Sequence, residues 1–206
     1  MIAIMEKTLD EMIAVLETSN RSDAYIGIDP SLSSTGIAVI LDAPDGLNVI
    51  LHTIKTSPKS PLRRLDDIYT AVSEIVAAVQ DFHDMKCVVI EDLPNRANSA
   101  GNTGQAHGVC RLAIYHGGGV AITYAPDVPL YSLAPATLKK YATGSGRASK
   151  SDMIAAANRV ASGGSLVKDD NQADAMHMAT LARAINLQGV GDCGAKVKLV
   201  DYIDSY

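Results

Sequence analysis

Three groups of acidic residues stand where a fold could bring them together. Asp29 closes the apolar run Ala24-Tyr25-Ile26-Gly27-Ile28-Asp29, and Glu91 closes Lys86-Cys87-Val88-Val89-Ile90-Glu91. A third group, Asp169-Asp170-Asn171-Gln172-Ala173-Asp174, opens an apolar helical stretch. Carboxylates delivered from two strand ends and a helix start can converge on one site. Hard divalent cations take oxygen ligands, and a two-ion carboxylate site would activate water and hold a leaving 3′-oxygen. The matching chemistry is phosphodiester hydrolysis.

Each group also has an ordinary explanation. Asp169 or Asp170 is a natural helix cap, and a lone Asp at a strand end is most often a turn residue. The combination weighs against chance. Asp174 lies among Ala173, Ala175, Met176, Met178 and Ala179, where a charge has no solvation motive. Asp170 and Asp174 are four apart, on one helical face, where like charges repel by about 0.2–0.5 kcal/mol. A cation would offset that repulsion.

The densest positive segment is Lys139, Lys140, Arg147 and Lys150. Helix ends flanking a Gly-rich loop could bring Lys139 and Lys150 to one phosphate. The alternative for any single lysine is a solvated surface. Arg63-Arg64 and Arg96 could extend the track, and Ser33, Ser34 and Thr35 could donate to a phosphate or simply form a polar turn. His177, three residues after Asp174, is expected to be packed rather than a ligand, and His107 to be a surface or DNA-groove residue rather than a catalyst.

The elements that must position these groups follow from periodicity. Apolar residues at Ile2, Met5, Leu9, Met12, Ile13 and Leu16 predict one helix over 2–18. Strands are expected over 24–29, 36–41 and 47–54, the last two joined as a hairpin by Asp42-Ala43-Pro44-Asp45-Gly46. A long helix over 62–81 precedes a strand over 86–91. After a polar loop from 92 to 103, a helix over 104–115, short strands over 120–124 and 130–133, and helices over 135–141, 149–161 and 170–185 follow. A meander followed by alternating helices and strands is an α/β domain with a mixed sheet. Sites in such sheets form at the carboxyl ends of strands, where both Asp29 and Glu91 lie. The expected division is an N-terminal helical extension and linker over 1–22, a catalytic domain over 23–186 and a tail over 187–206.

Composition sets bounds. The 206 residues suit one domain, and 47% are apolar, enough for a core. A net charge of −5 makes any nucleic-acid contact depend on a local basic patch. Cys87, Cys110 and Cys193 show no paired spacing, so core thiols in a reducing compartment, the cytoplasm, are expected. Glu6, Asp10, Glu11 and Glu17 interrupt any secretory signal, and no run approaches a membrane span.

Taken in order, the motifs resemble the RuvC-type Holliday junction resolvases of the RNase H-like superfamily. Gly27-Ile28-Asp29-Pro30-Ser31-Leu32-Ser33-Ser34-Thr35-Gly36 is similar to the family's first strand and turn. Val89-Ile90-Glu91-Asp92 with Gly104-Gln105-Ala106-His107-Gly108-Val109 looks like its second acid and following helix, and Gln172-Ala173-Asp174-Ala175 like its last acidic helix. Leu138-Lys139-Lys140, Gly144-Ser145-Gly146 and Ala148-Ser149-Lys150 are similar to the segment whose lysines approach the scissile phosphate.

The resemblance implies a five-stranded mixed sheet flanked by helices. It also implies a homodimer acting on four-way junctions, with Asp29, Glu91, Asp174 and a further acid holding Mg²⁺ or Mn²⁺, two ions per site. The position three before Asp174, an acid in many members, is Asn171 here; Asp170 is expected to take that role, and Lys150 to be catalytic. Where bacterial members carry an aromatic wedge, this chain has Pro94. That departure implies tolerance of forks or flaps, as in relaxed RuvC-like proteins of phages, which would act in the host cytoplasm. An actin-like ATP-binding domain and a non-catalytic junction-binding protein are the competing readings. The first needs two related subdomains, and only one such turn is present.

Overall fold

The computed structural model describes residues 2–56, 60–92, 102–116, 128–160, 163–164 and 166–200. Its centre is a meander. Strands β2 (Asp23–Asp29), β3 (Ser34–Ala43) and β4 (Gly46–Lys55) run antiparallel, with Asp29 opposite Gly36 and Ala43 opposite Gly46. The positive φ of Gly46 (143°) closes the tight β3–β4 turn. β5 (Asp84–Glu91) lies parallel to β2, and β6 (Leu130–Leu133) parallel to β5. These five strands form the expected mixed sheet.

Three short strands extend it to eight among the described residues. β1 (Ile2–Glu6) lies parallel to β4, β7 (Gly163–Gly164) parallel to β1, and β8 (Lys198–Leu199) antiparallel to β6. The order is β7-β1-β4-β3-β2-β5-β6-β8.

The single helix expected over 2–18 is therefore corrected. Residues 2–6 are a strand, and the helix, α1, spans Leu9–Thr18. A capping box starts it: Thr8 Oγ1 accepts from the Glu11 backbone N–H at 3.3 Å, and the Thr8 backbone N–H donates to the Glu11 carboxylate at 2.9 Å. Ile4, Met12 and Leu16 are buried, so the extension shares the core.

Alternation along the strands builds two apolar layers. Ile26, Ile28, Ile37, Val39, Val88 and Ile90 face α1, α2 (Pro61–Phe82) and α3 (Asn102–His116). Tyr25, Ala38, Ile40, Val49, Leu51, Cys87 and Val89 face α6 (Asp170–Gln188), with α4 (Pro135–Thr143) and α5 (Lys150–Val160) beside it. Cys87, Cys110 and Cys193 are free and buried. No described helix is long and apolar enough to cross a membrane. The strand expected over 120–124 lies outside the described residues, as do Pro94 and Arg96.

Candidate active site

Two glycines let α6 lie directly on the sheet. A Cβ on Gly27 would stand 2.1 Å from the Ala175 carbonyl oxygen and 2.3 Å from the Ala179 nitrogen. A Cβ on Gly36 would stand 2.2 Å from the Asn171 carbonyl oxygen. Any side chain at either position would push the helix away. Asp29 follows Gly27 by two residues, so it points to the same face, and Gly36 pairs with it across the ladder. Ile28 pairs with Ile90 on the parallel strand β5, which brings Glu91 beside Asp29. The close approach of α6 then sets Asp174 and Asp170 over the two strand ends.

The three acids on these elements feel one another. Asp29 is 8% exposed, and burial followed by the charges of Glu91 and Asp174 pushes its carboxyl far above the usual range. Glu91 is raised by burial, and its carboxyl shares a hydrogen bond with Asp29. Two carboxyls bonded in this way hold a proton between them. Asp174 is pushed up to about 7, first by burial, then by Glu91 and Asp170, with Lys139 and Lys150 opposing. Its Oδ1 is buried with no hydrogen-bond partner.

The first turn of α6 divides its acids. Asp169 is the cap: its Oδ1 accepts from the Asn171 backbone N–H at 2.8 Å and from Asn171 Nδ2 at 3.0 Å. Asn171 Nδ2 also donates to Ser34 Oγ at 3.1 Å, so that side chain is engaged away from the acids. Asp170 is left for the site, where it raises both Asp29 and Asp174. It is ion-paired with Lys150, the first residue of α5. Ser149 fixes that helix start through a second capping box with Asp152: the Asp152 backbone N–H donates to Ser149 Oγ at 3.2 Å, and the Ser149 backbone N–H donates to Asp152 at 2.9 Å. Lys139, on α4, acts on Glu91 and Asp174 from the other side. Lys140 and Arg147 are exposed nearby on the chain.

A polar brace behind the acids is a feature that the sequence did not lead us to expect. Gln172, 2% exposed, donates from Nε2 to Glu6 at 3.1 Å and to Thr53 Oγ1 at 3.0 Å. Thr53 Oγ1 in turn donates to Asp169 Oδ2 at 3.4 Å. The brace joins β1, β4 and the start of α6. A Gln set two residues from acids on either side, on a helix face otherwise rich in Ala and Met, was its one trace in the sequence.

Other expectations resolve differently. Thr35 is fully buried and donates to the Ser31 carbonyl at 2.7 Å, so it shapes the turn after β2, while Ser33 is exposed. His177 is buried and its Nε2 meets the Met153 carbonyl at 3.1 Å, as expected for a packed residue. His107 is corrected from a surface or groove residue. It is 6% exposed, hydrogen-bonded to the Glu91 backbone, and pushed down to about 4 chiefly by burial. Arg63 and Arg64 lie on the first turn of α2, across the sheet from α6.

The donor set fits a hard divalent cation: several carboxylate oxygens, one with no partner, at a point where negative charge is crowded. Among the described residues, no three His, Cys, Asp or Glu side chains already stand in a ligand cage. Some of the acids are instead engaged with other groups. Asp29 and Glu91 share a proton, and Asp170 holds Lys150. Gathering three oxygens about one ion requires that proton to leave and Lys150 to swing off.

Comparison with known proteins converges on one family. The family model described as Crossover junction endodeoxyribonuclease RuvC matches residues 25–182. The chain is 30% identical to the Treponema denticola RuvC over 188 residues, covering 89% of this chain and 97% of that protein. It is also 30% identical to the Corynebacterium diphtheriae RuvC over 159 residues, covering 76% and 90%. In three dimensions it is similar to the Thermus thermophilus RuvC solved in complex with a Holliday junction substrate. That likeness has a TM-score of 0.62 at 21% identity, over 86% of this chain and 99% of that one. At that identity it shows the RNase H-like fold.

Proposed function

The chain belongs to the RuvC crossover junction endodeoxyribonuclease family, and from that premise we propose that it is a divalent-metal-dependent, structure-selective nuclease. Its substrates are Holliday junctions and other branched DNA, such as forks or flaps. The single observation that carries this reading is the buried cluster of Asp29, Glu91 and Asp174, with Asp29 and Glu91 hydrogen-bonded and an unpaired buried oxygen on Asp174. Crowded, buried carboxyls of this kind favour a catalytic site over a binding protein without catalysis.

Asp29, Glu91, Asp170 and Asp174 would hold Mg²⁺ or Mn²⁺, two ions per site. When bound, such ions lower the pKa of water and stabilise the leaving 3′-oxygen. The protein's own residues do the rest. Asp29 and Glu91 would give up their shared proton to solvent when a cation binds. Lys150, freed from Asp170, reaches a non-bridging oxygen of the scissile phosphate, where negative charge grows. Lys139 neutralises charge on the Glu91 and Asp174 side. Water adds to phosphorus and gives up a proton to solvent, the bond to the 3′-oxygen breaks, that oxygen takes a proton from solvent, and the products are a 5′-phosphate and a 3′-hydroxyl. Lys140 and Arg147, with Arg96 from outside the described residues, continue the phosphate track. Two copies of the chain act together on symmetric strands of the junction, in the cytoplasm, that of the host if a phage encodes it.

The test is a nicking assay on a synthetic four-way junction, with duplex, fork and flap controls. Asp29→Asn and Glu91→Gln abolish cleavage and keep junction binding. Full magnesium-dependent cleavage by either variant rejects these roles.

A further inference from the structure

Beyond α6 the chain turns back and builds a cleft against α4. The segment from 189 to 199 is well anchored. Gly189 ends α6 with its N–H on the Ile185 carbonyl at 2.9 Å. Cys193 is buried, its thiol directed to the Val190 and Ala195 carbonyls at 3.2 and 3.4 Å. Gly194, at a φ of +81°, lies against the ring of Tyr141, and β8 closes the segment onto β6.

The cleft between this segment and α4 measures about 660 Å³. Among the described residues its lining combines Lys140 and Lys196 with Thr137 and the small residues Gly146, Gly191 and Gly194. No acidic side chain among the described residues lines it. Neither lysine has a carboxylate partner among the described residues. Small residues leave the backbone open to a ligand, and two unpaired ammonium groups with a hydroxyl call for an anion.

Its position gives that anion a context. Lys139 and Lys140 are neighbours on α4 and so point about 100° apart. Lys139 acts on Glu91 and Asp174, while Lys140 lines the cleft. One helix thus serves both places. The outer wall, Gly191 to Lys196, lies C-terminal to residues 25–182, the stretch matched by the family model.

We propose that this cleft is a second phosphate subsite, taking the DNA backbone away from the bond that is cut, with Lys196 as its distinctive contact. The proposal rests on the nuclease reading above. It extends substrate binding to the segment C-terminal to the residues matched by the family model.

The experiment measures junction affinity against salt for the full chain, with Lys196→Ala, Lys196→Glu and Lys196→Arg. Lys86→Ala is the control: Lys86 pairs with Asp23 at the far end of the sheet, at 3.2 Å. Each phosphate left without its cation lowers the slope of log K against log salt by about 0.9 on duplex and about 0.7 on single strands. Lys196→Ala is expected to show that drop and weaken binding several-fold at low salt. Lys196→Glu weakens it further, with sub-saturating cleavage falling in step and largely recovered at saturating enzyme. Lys196→Arg restores the slope, and Lys86→Ala matches the parent. A Lys196→Glu protein with the parent's affinity, slope and cleavage would overturn the subsite and leave the nuclease reading standing. A parent protein that neither binds nor cuts junctions would overturn that reading, and this subsite with it.

Discussion

The Lys150 ammonium is ion-paired with the Asp170 carboxylate, joining the first residues of two neighbouring helices. If Asp170 holds a cation and Lys150 a phosphate, as proposed, this pair must open first. Lys150 is 80% exposed, so water screens the contact and opening costs little. Lys150→Met is expected to slow cleavage at saturating Mg²⁺ by about 10²-fold, the usual loss when one charge-stabilising donor is removed. Single-turnover kinetics check it. Because the acids lose a competitor, half-saturation should occur at lower Mg²⁺. An unchanged cleavage rate would remove Lys150 from the chemistry.

The raised carboxyls make stability depend on pH in a stated direction. The folded pKa of Asp174, about 7, lies above the unfolded value near 3.8. Between those values the unfolded chain gives up a proton that the folded chain keeps. The metal-free protein therefore loses stability as pH rises from about 4 to about 7, and Asp29 carries the loss further up. Below about pH 6.5 the buried His107, held at about 4, His83 and His177 oppose this trend, so thermal melts without Mg²⁺ should show the melting temperature falling most clearly above that pH. Mg²⁺ should stabilise strongly at pH 8 and little at pH 5, since binding requires the ionised acids.

Removing an acid that must take up a proton to fold should help folding while ending function. Asp29→Asn replaces a buried, crowded carboxyl with a neutral side chain of the same shape. We expect a higher melting temperature at pH 8 without Mg²⁺, a smaller response to added Mg²⁺, and no cleavage. A lower melting temperature for Asp29→Asn would mean that the acids do not repel as described.

Close packing at Gly27 is the scaffold of the site. Gly27→Ala drives a methyl into the backbone of α6, 2.1 Å from the Ala175 oxygen. A cost of about 1–3 kcal/mol is expected from overpacking. Denaturant unfolding measures it. Cleavage should fall by more than stability explains, because Asp174 moves with the helix.

The brace through Gln172 predicts a split between binding and chemistry. Gln172→Leu removes the bonds to Glu6 and Thr53 and leaves the Glu6 carboxylate without its donor. Junction affinity should hold while the cleavage rate drops about ten-fold or more, as for a small misplacement of reacting groups. An equal loss in affinity would instead point to a damaged binding surface.

The acids were legible before the fold because their surroundings were wrong for them. Charges at Asp29, Glu91 and Asp174 close or interrupt apolar runs, and periodicity alone places those runs on strands and a helix. The extended N-terminus was not legible in the same way. Ile2 and Met5 fit the helical spacing of Leu9 and Met12, and five residues are too few to separate the two periods. What makes residues 2–6 a strand is pairing with β4 and β7, both distant in sequence. The local mark of the true helix start, Thr8 with Glu11, lay in plain view. β7 is two residues long and forms only through its pairing with β1, which is why no strand was expected there. His107 was misplaced for a related reason: its helix has a weak apolar face, and only the contact with Glu91 shows which side is inside.

The most direct test of the account is Mg²⁺-dependent nicking of a synthetic four-way junction by the parent chain and by Asp174→Asn. The account predicts paired, symmetric nicks by the parent, none without a divalent ion, and none by the variant, which still binds the junction. Cleavage by Asp174→Asn at the parent's rate would contradict it.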